Sequence, residues 1–186
     1  VLEGPEVERL VSALSDALAD GRRVCFSGCG ATGRLSIMLE AMWRRFWREF
    51  AEQWPDLASP AAKLADRVVS IMTGGDYALI RSVEGFEDYT SFVRQQVREA
   101  DLREGDVLVA IAFPPYSEAV VDVVVDGHLS GKQVLAITDS PQSPLARHAK
   151  LSFSVDNAAT GQFRPISGAI ALVQTLVSGL GHERLP

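Results

Sequence analysis

The chain has 186 residues, 47% of them hydrophobic and 23% charged, with a formal net charge of −6 at pH 7. That length fits one domain over 1–186, able to bury roughly two-thirds of its unfolded surface. The acidic balance argues against a general nucleic-acid surface, because phosphate backbones are held mainly by clustered Lys and Arg.

The chain opens on Val1 in place of a methionine and reads as a trimmed or excised domain. No signal-peptide pattern is present, and no apolar run approaches the roughly 20 residues of a membrane span, so a cytoplasmic protein without a membrane partner is expected. An amphipathic helix over 6–19 carries Val7, Leu10, Val11, Leu14 and Leu18 on one face and ends at Asp20-Gly21. A strand over 24–27 follows. Cys25 and Cys29, which flank the turn after it, lack the second pair or nearby His of a zinc site, and read as small buried residues in a reducing compartment.

A long helix is predicted over 33–52. There Arg44, Arg45 and Arg48 interleave with Trp43, Phe46 and Trp47 at helical spacing, which reads as an aromatic core face with a solvated flank. The segment 54–63, with Pro55, Ser59 and Pro60, reads as a surface insertion. Further strands are predicted over 68–72, 107–112, 133–138 and 151–155, with helices over 89–99, 117–129 and 166–180. Val107-Leu108-Val109-Ala110-Ile111 lacks polar alternation, which suits a strand covered on both faces. The predicted architecture is α/β, a doubly wound five-stranded parallel sheet with helices on both faces, and so flavodoxin-like. Ligands then gather at the carboxyl ends of the strands, in the loops 28–33, 73–76, 113–117, 138–143 and 156–163.

The first loop spells G-x-G-x-x-G with Gly28, Gly30 and Gly33. A dinucleotide site would need an acid at the end of the second strand to hold a ribose. The chain instead gives Thr73-Gly74-Gly75-Asp76, after a longer insertion than the usual unit, so no nicotinamide cofactor is expected. A smaller ligand uses the same physics: the N–H groups of Gly30, Ala31, Thr32 and Gly33, the helix dipole and the Thr32 hydroxyl can hold one phosphate. Arg34 pairs with that anion or anchors a neighbouring loop.

Gly28-Cys29-Gly30-Ala31-Thr32-Gly33-Arg34-Leu35 resembles the G-x-G-[TA]-[ST]-G-R-L loop of sugar isomerase (SIS) domains. The similarity is to the branch containing N-acetylmuramic acid 6-phosphate etherase and glucokinase regulatory protein. It continues through Met72-Thr73-Gly74-Gly75-Asp76, Ser82-Val83-Glu84-Gly85-Phe86-Glu87-Asp88 and 102–109. Pro115-Tyr116-Ser117-Glu118-Ala119, Ile137-Thr138-Asp139-Ser140-Pro141-Gln142-Ser143-Pro144-Leu145 and Phe163-Arg164-Pro165-Ile166 are similar instead to the SIS domain of RpiR-type regulators. A natural mosaic, a divergent relative or a recombined chain would each change character in this way near Ile111.

The resemblance implies a phosphosugar ligand and a homodimer or tetramer. The aromatic face around Trp43 and Trp47 points to subunit pairing too, as more apolar surface than one sheet layer covers. In the etherase branch, the resemblance implies one acid on the helix after the glycine loop and another in the E-G-x-E-D segment. The second aligns with Glu87 and the first with Met42, which cannot move a proton; Glu40 lies about 200° away around the helix. The bland account of Glu84, Glu87 and Asp88 is that they are helix-start acids favoured by the dipole.

SIS domains place S-x-S-G-x-T after the third strand. Here Phe113-Pro114-Pro115-Tyr116-Ser117 leaves only Ser117 as a hydroxyl, a phosphate ligand or a helix N-cap. Tyr116 stacks on a sugar ring or covers the sheet edge. Ser140 and Ser143 belong to the sugar rim or to a turn in which Asp139 forms an Asx-turn and Pro141 fixes the next φ. His128 and His148 read as surface residues; the resemblance implies a possible base at His182, across a subunit contact. No helix-turn-helix with a basic face is readable. Three readings follow: a phosphosugar-binding module without turnover, an isomerase or lyase using Glu87, and an engineered or decayed scaffold without ligand.

Overall fold

The computed structural model describes residues 5–75 and 90–154. Helix α1 (Pro5–Ala19) leads into β1 (Val24–Gly28), then α2 (Gly30–Gln53), a 3₁₀ turn (Pro55–Leu57), α3 (Ala58–Ala65) and β2 (Val68–Met72). After it come α4 (Thr90–Glu99), β3 (Val107–Ile111), α5 (Glu118–Leu129), β4 (Gln133–Thr138) and β5 (Leu151–Ser154). The sheet order is β2-β1-β3-β4-β5, with every neighbouring pair parallel. The predicted helix over 166–180 and the loop 156–163 lie outside the described residues.

The central strands β1, β3 and β4 are buried on both faces, which is why they show no polar alternation, whereas the edge strand β5 alternates Leu151-Ser152-Phe153-Ser154 and is half-buried. Phe26, Val107, Val109, Ile111, Leu135 and Ile137 pack with α1, α2 and α3. Cys25, Leu108, Ala110, Val134 and Ala136 face the other way, toward α4 and α5. At the amino end, the Asp106 carboxylate accepts the N–H groups of Arg23 (2.9 Å) and Arg103 (2.7 Å), pinning the start of β3 beside β1.

The segment 54–63 is only in part a surface insertion. Trp54 and Leu57 are exposed, yet α3 folds back on α2: Ala61 is buried and the Trp43 indole N–H donates to Leu64 O at 2.8 Å. Trp43 and Trp47 meet edge-on at 5.5 Å and are both buried within the chain. The aromatic face is therefore buried within the chain, with α3 folded against it, which removes the argument that it calls for a second subunit.

Strand β1 has β2 on one side and β3 on the other. The connection from β1 runs to β2 and that from β3 runs the opposite way to β4, and the crevice between the carboxyl ends of β1 and β3 is the place where such sheets hold ligands.

Candidate functional site

The turn from β1 into α2 is built on close backbone approach. A Cβ on Gly28 would lie 2.6 Å from the Thr32 carbonyl carbon, and one on Gly33 would lie 2.7 Å from Met72 Cγ and 2.9 Å from Gly28 O. Gly30 has φ +53, in the left-handed region. Glycine is thus demanded at these positions by the turn itself, with or without a ligand.

Helix α2 starts at Gly30, three residues before the predicted start, because Cys29 O accepts the N–H groups of both Thr32 (3.1 Å) and Gly33 (3.2 Å). The Thr32 hydroxyl accepts the Cys29 N–H at 3.1 Å and donates to Cys29 O at 2.8 Å. The Thr32 hydroxyl, the candidate phosphate donor of the sequence analysis, thus closes the helix start. Among the described residues, the N–H groups of Gly30 and Ala31 have no backbone partner. They stand at the positive end of a 24-residue helix, next to the exposed Ala31 and Arg34 side chains.

Ser117 and Tyr116 come from the loop after β3, and Ser140 from the loop after β4. Ser117 occupies the N-cap position of α5, its carbonyl accepting the N–H groups of Val120 (3.1 Å) and Val121 (3.2 Å), but its side chain does not cap the helix. The Tyr116 hydroxyl donates to Asp139 Oδ1, and the buried Thr138 hydroxyl donates to the same oxygen at 3.1 Å. Desolvation by partial burial, followed by the bond to Asp139, pushes the Tyr116 phenol above its ordinary pKa. Asp139 therefore ties two loops together and forms no Asx-turn. The turn belongs to Ser140, whose Oγ accepts the Gln142 N–H at 3.1 Å and donates to Gln142 Oε1 at 2.7 Å. Ser143 Oγ accepts the Ala146 N–H at 3.1 Å.

Among the described residues, Ser27 Oγ and Thr73 Oγ1 are buried without a hydrogen-bond partner, one at the end of β1 and the other just past β2; Thr73 belongs to the candidate loop 73–76, whereas Ser27 was not singled out in the sequence. Their signal was a polar residue closing an otherwise apolar strand. Ser27 shares the face of Cys25, toward α4 and α5.

Glu40 is fixed away from the crevice: it accepts Arg44 Nε at 2.9 Å and the Ser70 hydroxyl at 2.6 Å. Met42 is half-buried. Cys25 is buried, with its thiol pushed up to about 12 by desolvation, whereas Cys29 is only half-buried. His128 and His148 are exposed, as expected, with ring centroids 6.1 Å apart. Among the described residues no group of three or more His, Cys, Asp or Glu side chains is placed to hold a metal, and no helix is long and apolar enough to cross a membrane. Glu87, Asp76 and His182 lie outside the described residues.

Two family profiles match this chain. The glucokinase regulatory protein N-terminal SIS domain covers residues 6–123 and the SIS domain covers 81–177. The chain belongs to the SIS domain family. Among curated SIS relatives, N-acetylmuramic acid 6-phosphate etherase of Salmonella typhimurium is 30% identical over 178 residues, 94% of this chain and 55% of the etherase. The chain thus spans about half the length of the curated relatives it matches. That similarity runs through Ile111.

The SIS fold is shared with solved structures. A phosphoheptose isomerase from Francisella tularensis superposes with a TM-score of 0.68 at 19% identity, covering 98% of this chain and 88% of the isomerase. The sugar isomerase domain of an RpiR transcription factor from Sphaerobacter thermophilus gives 0.54 at 19% identity, covering 96% and 78%.

Proposed function

We propose that this SIS domain binds a phosphorylated sugar, a hexose or amino-sugar phosphate, as a sensing or binding module. The phosphate lies against the N–H groups of Gly30 and Ala31, with Gly33 shaping the turn, Arg34 supplying positive charge and Ser117 a hydroxyl from the β3 side. The observation that carries this reading is the pair of Gly30 and Ala31 N–H groups without backbone partners at the start of α2. Membership in a family whose relatives include a 6-phosphate etherase supports it. Tyr116, with its hydroxyl held by Asp139, offers the sugar its ring face. Thr32 serves through the turn it closes, and Ser140 is a rim residue. Calorimetric titration with hexose and amino-sugar 6-phosphates tests the reading; no heat with any of them at millimolar concentration overturns it.

A second reading, a sugar-phosphate isomerase or etherase-like lyase using Glu87, is favoured by the identity to the etherase across nearly the whole chain. Against it stand Met42 at the aligned acid position and the engagement of Glu40 by Arg44 and Ser70. Turnover that survives Glu87→Gln unchanged removes that assignment. An ordered phosphosugar beside Thr32 in a soaked crystal removes the decayed-scaffold reading.

A homodimer or tetramer in the cytoplasm completes the proposal. Exposed Met38, Trp54, Leu57 and Leu129 provide apolar surface for it. A monomer by light scattering refutes the assembly.

A further inference from the structure

Asp139 stands where the loop after β4 meets the loop after β3, at the same end of the sheet as the Gly28 turn. Both hydroxyls that reach it, from Tyr116 and Thr138, donate to the single oxygen Oδ1. Among the described residues, Oδ2 accepts no hydrogen bond, and the residue is half-buried. Two donors on one oxygen fix the plane of the carboxylate and leave the other oxygen as an oriented acceptor.

A carboxylate repels a phosphate and accepts from a hydroxyl, so the position of Asp139 assigns a direction to any ligand that spans the crevice. Strand β4 lies two places from β1, about 10 Å at ordinary strand spacing. That is the scale of a phosphate followed by a six-carbon polyol.

We propose that Asp139 is a sugar-binding residue of this domain: Oδ2 accepts a hydroxyl from the polyol end of a phosphosugar whose phosphate lies at the Gly30 and Ala31 N–H groups. The inference rests on the phosphosugar reading above. Tyr116 is then a positioning residue, which holds Asp139 by its hydroxyl in addition to presenting its ring.

The test is calorimetry on the full chain with a panel of hexose and N-acetylhexosamine 6-phosphates and with inorganic phosphate. In Asp139→Asn the carbonyl oxygen still receives Tyr116 and Thr138, which turns the NH₂ group to where Oδ2 was and replaces an acceptor by a donor. The expected result is a loss of at least about tenfold in affinity for the sugar phosphates that the unmodified protein binds. Inorganic phosphate should bind within about twofold of its original affinity, since its contacts are untouched. Tyr116→Phe, which removes one of the two anchoring donors, should weaken the same sugar phosphates several-fold and again spare inorganic phosphate.

Equal sugar-phosphate affinity in Asp139→Asn overturns the proposal and leaves Asp139 as a loop staple. A panel in which no sugar phosphate binds more tightly than inorganic phosphate also overturns it, while the phosphate site stands. If the unmodified protein takes up neither, the phosphosugar reading falls as well. Should Asp139→Asn fail to fold by circular dichroism, Tyr116→Phe decides, and unchanged sugar-phosphate affinity in that variant overturns the proposal.

Discussion

The Thr32 hydroxyl closes on Cys29 from two directions, accepting its N–H at 3.1 Å and donating to its carbonyl at 2.8 Å. That reciprocal contact starts α2 at Gly30 and spends the hydroxyl proton that a phosphate oxygen would otherwise receive. It separates two tasks that the motif alone merges: Thr32 builds the turn, and the N–H groups of Gly30 and Ala31 ahead of it have no backbone partner among the described residues.

Replacing Thr32 by Val should therefore act on stability. Loss of the cap costs about 1 kcal/mol, a fall of roughly 2–4 °C in Tm for a chain of this length. Thr32→Ser should stay near the original value. Phosphosugar affinity, measured by calorimetry, is expected to change by no more than about twofold in Thr32→Ser. A tenfold loss there at unchanged Tm would mean that the side chain contacts the ligand directly.

The glycines of the turn should rank by what their missing Cβ would strike. Gly28→Ala sets a methyl 2.6 Å from the backbone of Thr32, which cannot yield without opening the turn. A loss of about 2–3 kcal/mol or more is expected in urea denaturation. Gly33→Ala meets the flexible Met72 side chain first, at 2.7 Å, but also Gly28 O at 2.9 Å, so its cost should be smaller yet still measurable.

The two cysteines should separate in a thiol titration. Cys29 is half-buried and reacts with an aromatic disulfide reagent in the native protein; Cys25 is buried and reacts only after denaturation. The pH dependence of stability follows from Cys25, whose thiol rises from 9.0 unfolded to about 12 folded. The unfolded chain loses this proton first, so the contribution is fully present below pH 9.0 and drains away as pH rises toward about 12. The slope is about 1.4 kcal/mol per pH unit at most. Alkaline denaturation of Cys25→Ala, compared with the unmodified protein, should show a shallower decline over that window.

Glu40 should prove structural. Glu40→Gln weakens its bonds to Arg44 and Ser70 at a cost of about 1 kcal/mol. Sugar-phosphate affinity, and any turnover, should be unchanged in this variant. A selective loss of turnover at full stability would instead make Glu40 the substitute for the acid absent at Met42.

Much of the fold was legible because burial on both faces leaves an unmistakable trace: Val107-Leu108-Val109-Ala110-Ile111 has no polar member, and four further short, mostly apolar runs alternate with helical periodicity. Element ends were less legible, since they depend on hydrogen bonds that composition does not encode. The start of α2 moved to Gly30 through the carbonyl of Cys29, and much of the expected insertion is α3, tied to α2 by the bond from the Trp43 indole N–H to Leu64 O. At the site, residue types and loop positions could be read, but the direction of each hydroxyl could not.

The sequence by itself determined the SIS family, the parallel α/β layering and the loops that converge on one end of the sheet, because apolar periodicity and the glycine turn are written in local residue order. Tertiary structure alone decided which polar atoms remain available there. Tyr116 was drawn to Asp139, and Ser27 and Thr73 were buried without a partner among the described residues, whereas the bond of Thr32 to Cys29, three residues away, belongs to the local helix start. A hydrogen bond is settled by which groups the fold brings within about 3 Å, and residues 116 and 139 meet only once β3 and β4 lie side by side.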